Sequence, residues 1–251
     1  MLTVQSVIDV KNIVRRNHGR KIGFVPTMGA LHRGHLSLLK RAKAENDFTI
    51  ASVYLNPTQF NDPGDLKTYP INIKNDVKLL EDLDVDLLFT PDYKEIYPDD
   101  YAYVLGEKRF SNILCGASRP GHFDGVLTVV MKLFNIVGKC RAYFGEKDYQ
   151  QYLLVKGMAD AFFLPVEVVP CPIVREADGL AMSSRNAKLS PAARKKAPEF
   201  YRMLSSGKSA EEIKNSLEAA GFKPDYITEY DGRLFGAVFL DGTRLIDNVK
   251  I

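Results

Sequence analysis

The chain has 251 residues, 45% of them hydrophobic and 26% charged, a composition that supports a packed core and argues against extended disorder. Its 34 basic and 31 acidic residues leave a formal charge of +3, too balanced to point to nucleic acid as a partner, although a mild excess suits anionic small molecules. Three widely separated cysteines, Cys115, Cys140 and Cys171, contain no Cys-x-x-Cys pair, which excludes a zinc-ribbon or disulfide-scaffold pattern. The opening "MLTVQSVIDVKN" is amphipathic and charged early, unlike a signal peptide, and no apolar run reaches the length of a bilayer span. The expectation is a cytoplasmic protein with no membrane partner.

In chain order, "KIGFVP" reads as a short apolar strand ending in a turn signal, and residues 36–46 continue as a helix with Leu38, Leu39 and Ala42 on one face. "FTIASVYL" is β-branched and aromatic, a buried strand. Helical spacing returns at residues 71–83, and "VDLLFTP" is a strand ended by proline. Residues 124–137 are apolar nearly all round, as in a buried helix. "RAYFGEKD" is a strand leaving into a loop, a helix follows at about residues 149–162, and "VEVVPCP" is a further strand. Strand and helix alternating through short connections predict a parallel sheet covered on both faces, with ligands at the carboxyl ends of the strands. After residue 186 the pattern changes to charged amphipathic helices, with a capping box at Ser209 and Glu212 and a stop at Gly221. Short strands separated by Asp-Gly pairs follow. The expected division is an α/β domain over 1–186 and a small α+β domain over 187–251.

Several clusters in loops after predicted strands carry candidate chemistry. "PTMGALHRGH" places His32 and His35 where a strand turns through Gly29 and Gly34 into a helix. A helix N-terminus offers unpaired N–H groups to an anion, glycines admit close backbone approach, and histidine adds donors beside phosphate. Two turn histidines bonding their own loop would look the same, and with His122 they also make a possible metal trio. In "FGEKDYQQ", Gly145 permits a sharp exit, Lys147 is a point charge suited to phosphate, and Asp148 either orients it or caps the next helix. Gln150 and Gln151 fall in that helix's first turn, where a glutamine facing a cleft reads a hydroxyl and a carboxylate without adding charge. "READGLAMSSRN" supplies two serines and Arg185, either a phosphate grip or a linker. Gln59 in "YLNPTQF" sits where a substrate contact or a simple turn is expected, and His122 in "RPGHFDGV" starts the buried helix as support or cap.

Together "PTMGALHRGH", "NPTQF", "RPGHFDGVLTVV", "FGEKDYQQ" and "VREADGLAMSSRN", spanning residues 26–186 in this order, resemble the pantoate–β-alanine ligase family. The resemblance implies a Rossmann-like parallel sheet flanked by helices, a small C-terminal α+β lid domain and a homodimer. It also implies condensation of pantoate with β-alanine through a pantoyl adenylate, using ATP and Mg2+ and releasing pyrophosphate and AMP. Carried onto this chain, ATP contacts fall on Met28, Gly29, Ala30, Leu31, His32, Arg33, Gly34 and His35, with His35 as proton donor and His32 beside it. They continue at Gly145, Glu146, Lys147 and Asp148, with Lys147 on the phosphates, and at Val174. Met182, Ser183, Ser184 and Arg185 form a loop that closes over the nucleotide. Gln59 and Gln151 hold pantoate, with Gln59 also near β-alanine. The family usually has Glu at the position of Arg33 and an acidic pair at Asn75 and Asp76, so no metal ligand is assigned. Two other readings keep parts of the pattern: a related nucleotidyltransferase without need of both glutamines, and a zinc hydrolase built on the histidines.

Overall fold

The computed structural model describes residues 1–251. Six parallel strands, Leu2–Val4 (β1), Ile22–Thr27 (β2), Phe48–Val53 (β3), Leu87–Phe89 (β4), Cys140–Gly145 (β5) and Val166–Cys171 (β6), form one sheet in the order β1-β4-β3-β2-β5-β6. Alternation along each strand divides their side chains between two cores. Phe24, Ile50, Leu87, Ala142 and Val168 join the larger core, and their immediate successors Val25, Ala51, Leu88, Tyr143 and Val169 join a smaller one on the opposite face. Helices Val7–Arg16 (α1), His122–Val137 (α4) and Tyr149–Ala161 (α5) contribute to the larger core. Arg33–Glu45 (α2) and Ile73–Asp82 (α3) contribute to the smaller one. The sheet is thus covered on both faces, as an all-parallel sheet requires. Helix α4 is buried along most of its length, and each of its fully buried Val, Leu and Phe side chains stabilises the fold by about 1.5–3 kcal/mol.

The second unit holds Pro191–Lys196 (α6), Pro198–Leu204 (α7) and Ala210–Ala219 (α8), then an antiparallel sheet of Lys223–Tyr230 (β7), Arg233–Leu240 (β8) and Thr243–Lys250 (β9). Both hairpins turn on Asp-Gly pairs with positive φ at both positions, Asp231-Gly232 and Asp241-Gly242, the two-residue turn that matches strand twist. The capping box at α8 is present: Ser209 Oγ accepts from the Glu212 N–H, and Glu212 accepts from the Ser209 N–H. A separate apolar cluster of Phe200, Ile213, Leu217, Val238 and others takes in Leu180 and Leu189 from either side of residue 186.

Several element boundaries differ from expectation for local reasons. Strand β1 was not anticipated, being three residues long at a sheet edge with Leu2 57% exposed. Helix α2 begins three residues before residue 36 because His32 caps it. The helical run after residue 190 breaks in two at Pro198, which has no N–H to continue the ladder. Gly145 makes no turn: its φ is −75°, and its missing side chain faces open space.

Candidate active site

Strand order reverses beside β2, whose neighbours are β3 and β5, and this switch in order opens a crevice at the strands' carboxyl ends. The loops leaving β2 and β5 are the histidine loop and the "GEKD" loop, so topology alone brings the two motifs together. Between them lies a cavity of about 210 Å³. Met28, His32, Gly34, His35, Gln59, Gly145, Lys147, Asp148, Gln151, Val174 and Met182 to Arg185 line it. Gly29, Ala30, Leu31, Arg33 and Glu146 do not.

The histidines are fixed by their own backbone. The Gly34 N–H donates to His32 Nδ1 at 3.1 Å, and the His32 N–H donates to His35 Nδ1 at 3.4 Å. A backbone N–H only donates, so both Nδ1 atoms are acceptors and each neutral ring carries its proton on Nε2. The rings lie 4.1 Å apart, where two charges would repel. Burial, aided by Lys147, lowers the His32 pKa to about 4; burial, then His32 and Lys147, lowers that of His35 to about 3. A neutral imidazole at neutral pH serves as a hydrogen-bond donor through Nε2–H.

The helix N-terminus is partly engaged by the protein's own groups. Two of its N–H groups bond the histidines, and the Ala30 and Leu31 N–H groups donate to the two oxygens of Asp76 at 2.8 and 2.7 Å. Asp76 is 1% exposed and sits at the start of α3. The glycines make room for these contacts. Gly29 has φ +82°, and a Cβ there would lie 3.0 Å from Asp76; a Cβ on Gly34 would lie 2.8 Å from the His32 ring. Arg33 points away from the cavity and pairs with Glu176 at 2.8 Å, its side chain 68% exposed.

Gln59 is held from three sides. Its Oε1 accepts from Asn56 at 3.1 Å, and Asn56 in turn accepts from the buried Tyr97 hydroxyl at 3.0 Å. Its carbonyl accepts from His122 Nδ1 at 2.7 Å and from Arg119 at 3.3 Å. Arg119 also donates to His122 Nε2 at 3.0 Å, which fixes the opposite tautomer from the one in the other two histidines. Both His122 nitrogens are therefore engaged, and no group of three His, Cys, Asp or Glu side chains is arranged to hold a metal. Gly125 lets α4 reach this turn, since a Cβ there would stand 2.4 Å from the Thr58 oxygen. The two adjacent glutamines separate: Gln151 faces the cavity, whereas Gln150 is buried and bonds the Cys115 N–H and the Phe110 and Ile113 carbonyls.

Lys147 has one acidic neighbour, Asp148, at 3.5 Å. Burial opposes ionisation of Asp148, but Lys147 and Arg185 outweigh it and hold its carboxyl below the ordinary range. Arg185 reaches Asp65 at 2.8 Å, and Ser184 donates to the Ala30 carbonyl, tying the serine loop to the histidine loop. The small domain supports the opposite wall. Asn248 donates to the carbonyls of Glu146 and Lys147 at 2.9 and 3.2 Å, and Arg233 bonds the Glu146 carboxylate at 3.2 Å. Glu146 thus faces the second domain. Asp247 grips Arg175 through both oxygens at 2.6 and 3.0 Å, with the guanidinium 3.6 Å from the Tyr201 ring.

Asn56, Tyr97, Arg119 and Tyr69, which lines the cavity beneath Arg185, were not anticipated as site residues, and Asp76 was noted without this bracing role. It also missed that α4 walls the cavity with Val126, Val129, Val130 and Leu133; the all-round apolarity of that helix was the available signal.

The neutral histidines set a pH dependence. Burial lowers the His122 pKa to about 3, with Arg119 adding to it. Below pH 6.5 the unfolded chain takes up protons that folded His32, His35 and His122 refuse, so stability is full above that pH and falls on acidification towards 4 and 3. Between pH 7 and pH 5 the expected loss is about 2 kcal/mol per histidine. Thermal melts at the two pH values check this; equal melting temperatures would contradict neutral rings.

An open parallel sheet that gathers neutral donors and cations at its switch point, beside two glutamines and an apolar wall, has the form of a small-ligand site in an α/β protein. The family model for pantoate–β-alanine ligase matches residues 2–250. The pantothenate synthetase of Bdellovibrio bacteriovorus is 52% identical over 237 residues, 94% of each chain, and that of Legionella pneumophila (strain Lens) is 51% identical over 227 residues, 90% of each. Among solved structures, the pantoate–β-alanine ligase of Francisella tularensis, complexed with β,γ-ATP and β-alanine, superposes with a TM-score of 0.94 at 44% identity, covering 100% of this chain and 97% of that one. The Thermus thermophilus pantothenate synthetase gives 0.90 at 44%, covering 100% and 99%. The chain belongs to the pantoate–β-alanine ligase family and is an enzyme.

Proposed function

We propose that this enzyme joins pantoate to β-alanine in two steps. The pantoate carboxylate attacks the α-phosphorus of ATP and displaces pyrophosphate; the β-alanine amine then attacks the acyl carbon of pantoyl adenylate and displaces AMP. The observation that carries the reading is the convergence of Gln59 and Gln151 with the His32–His35 pair, Lys147 and the 182–185 loop around one cavity.

Each group has a defined task. Carboxylate attack on phosphate brings like charges together, so the first step needs cations and donors aimed at the phosphates. Nε2–H of His35 and His32, Lys147, Ser183, Ser184 and Arg185 supply them. Gln59 and Gln151 hold pantoate through neutral amides, which add no charge repelling ATP. Met28 and Val174 flank the nucleotide, and the apolar wall of α4 takes the hydrocarbon part of pantoate. An acyl adenylate hydrolyses readily, and the second domain, residues 187–251, acts as a lid that excludes water. Magnesium brought by ATP would neutralise phosphate charge, while both Asp76 oxygens already accept from the histidine loop. The reading carries with it a cytoplasmic homodimer without nucleic-acid partners. In its support, the charge is balanced and no helix is long and apolar enough to cross a membrane.

Pantoate-dependent exchange of pyrophosphate into ATP, followed without β-alanine, tests the first step; its absence in folded protein would falsify the reading. Gln59→Ala and Gln151→Ala should each lower kcat/KM for pantoate about tenfold or more, the loss of about 1.4 kcal/mol of hydrogen bonding. Unchanged pantoate kinetics in both would remove the assignment.

A further inference from the structure

Beside the main cavity lies a smaller crevice of about 80 Å³ between the two domains. The two spaces share Lys147, Asp148, Ser183 and Arg185 and therefore adjoin. Most charges in the small crevice are already matched. Asp65 pairs with Arg185 and Lys188, both at 2.8 Å. Asp247 pairs with Arg175, and Arg244 with Asp225 at 2.7 Å. Arg119 is the exception. Its contacts are His122 Nε2 and the Gln59 carbonyl, both neutral, which engage two of five guanidinium N–H groups. Burial, then the charges of Arg185 and Arg244, lower its pKa to about 10, which marks a cation short of negative charge.

We propose that Arg119 anchors the carboxylate of the amine substrate, a short zwitterionic amino acid, in this crevice. The inference rests on the ligase reading and extends it to the second substrate. Three free N–H groups suit bidentate capture of a carboxylate. The opposite, ammonium end meets Asp148, which is held only by Lys147 at 3.5 Å. Pyrophosphate fits less well, because its several negative charges would face Asp65, Asp148 and Asp247 together. Position agrees: Arg119 lies 3.3 Å from the Gln59 carbonyl, so an amino acid held there lies beside the pantoate-binding turn, and Asp148, which lines both spaces, directs its amine toward the main cavity. Arg119 thereby selects amines that carry a carboxylate.

The test compares β-alanine with its amide, 3-aminopropanamide, as acceptor in the full reaction of wild-type, Arg119→Gln and Arg119→Lys enzymes. Wild-type enzyme should prefer β-alanine, and Arg119→Gln should cut that preference about tenfold or more through a raised KM for β-alanine, with Arg119→Lys recovering part of it. If both acceptors lose rate equally in the variants, Arg119 only braces His122 and Gln59, and the inference is overturned. A raised KM for pyrophosphate in the exchange reaction, with acceptor preference unchanged, would assign the crevice to the leaving group and also overturn it. Wild-type enzyme that lacks pantoate-dependent exchange altogether would instead overturn the ligase reading on which the inference stands.

Discussion

His35→Ala should slow formation of the acyl adenylate about 10²–10³-fold while leaving the fold intact. That is the usual effect of removing one well-aimed donor from developing phosphate charge. The folding loss is small, since His35 Nδ1 contributes a single 3.4 Å cap to α2. Pyrophosphate exchange measures the loss directly. The ring's neutrality makes a sharper point. A charged acid would lose its function when replaced by any uncharged group and would give a rate that titrates. A neutral Nε2–H donor is partly replaced by the amide of glutamine, so His35→Gln should exceed His35→Ala, and the exchange rate should show no histidine titration between pH 6 and pH 8. An exchange rate that falls with a pKa near 7 would restore His35 as a proton donor.

Gly125→Ala should reduce pantoate turnover about 100-fold and destabilise the protein by about 1–3 kcal/mol, although residue 125 itself touches no substrate. The added methyl would stand 2.4 Å from the Thr58 oxygen and 2.7 Å from the Gln59 nitrogen, both backbone atoms that cannot swing aside. Helix α4 or the Asn56–Gln59 turn must move, and the turn carries the glutamine. Gly157 in α5 is the control: open space surrounds it, and alanine there should leave activity unchanged and add up to about 1 kcal/mol of helix stability. Steady-state kinetics and thermal melts on the pair separate a clash from a general intolerance of helix substitution.

The strands that build the switch point were legible because each is a run of β-branched and aromatic residues ended by proline or glycine, a signal contained in six to eight letters. The motif loops were legible for the same reason. What the sequence hid was contact across distance. Asp76 meets Ala30 from 46 residues away, and nothing local in "IKNDVKLL" marks one carboxylate as buried. Arg33 looked like part of the nucleotide loop, yet the helical twist at the start of α2 aims it at Glu176. Gln150 and Gln151 are alike in letters and opposite in role because successive helix positions face about 100° apart. Glycines read as room for a ligand also make room for Asp76 and the His32 ring, which no local pattern announces.

The hydrogen bonds from Asn248 to the Glu146 and Lys147 carbonyls join residues about a hundred positions apart, across nearly the whole second domain. Chains emerge from the ribosome in order, and early domains fold first. The parallel sheet, histidine loop and glutamine turn all precede β9, so the bracing of the lysine loop waits for the last strand of the chain. The last residues of the chain thus decide the shape of a cavity wall built from its middle, so the sheet and the finished cavity are separable in the order of synthesis.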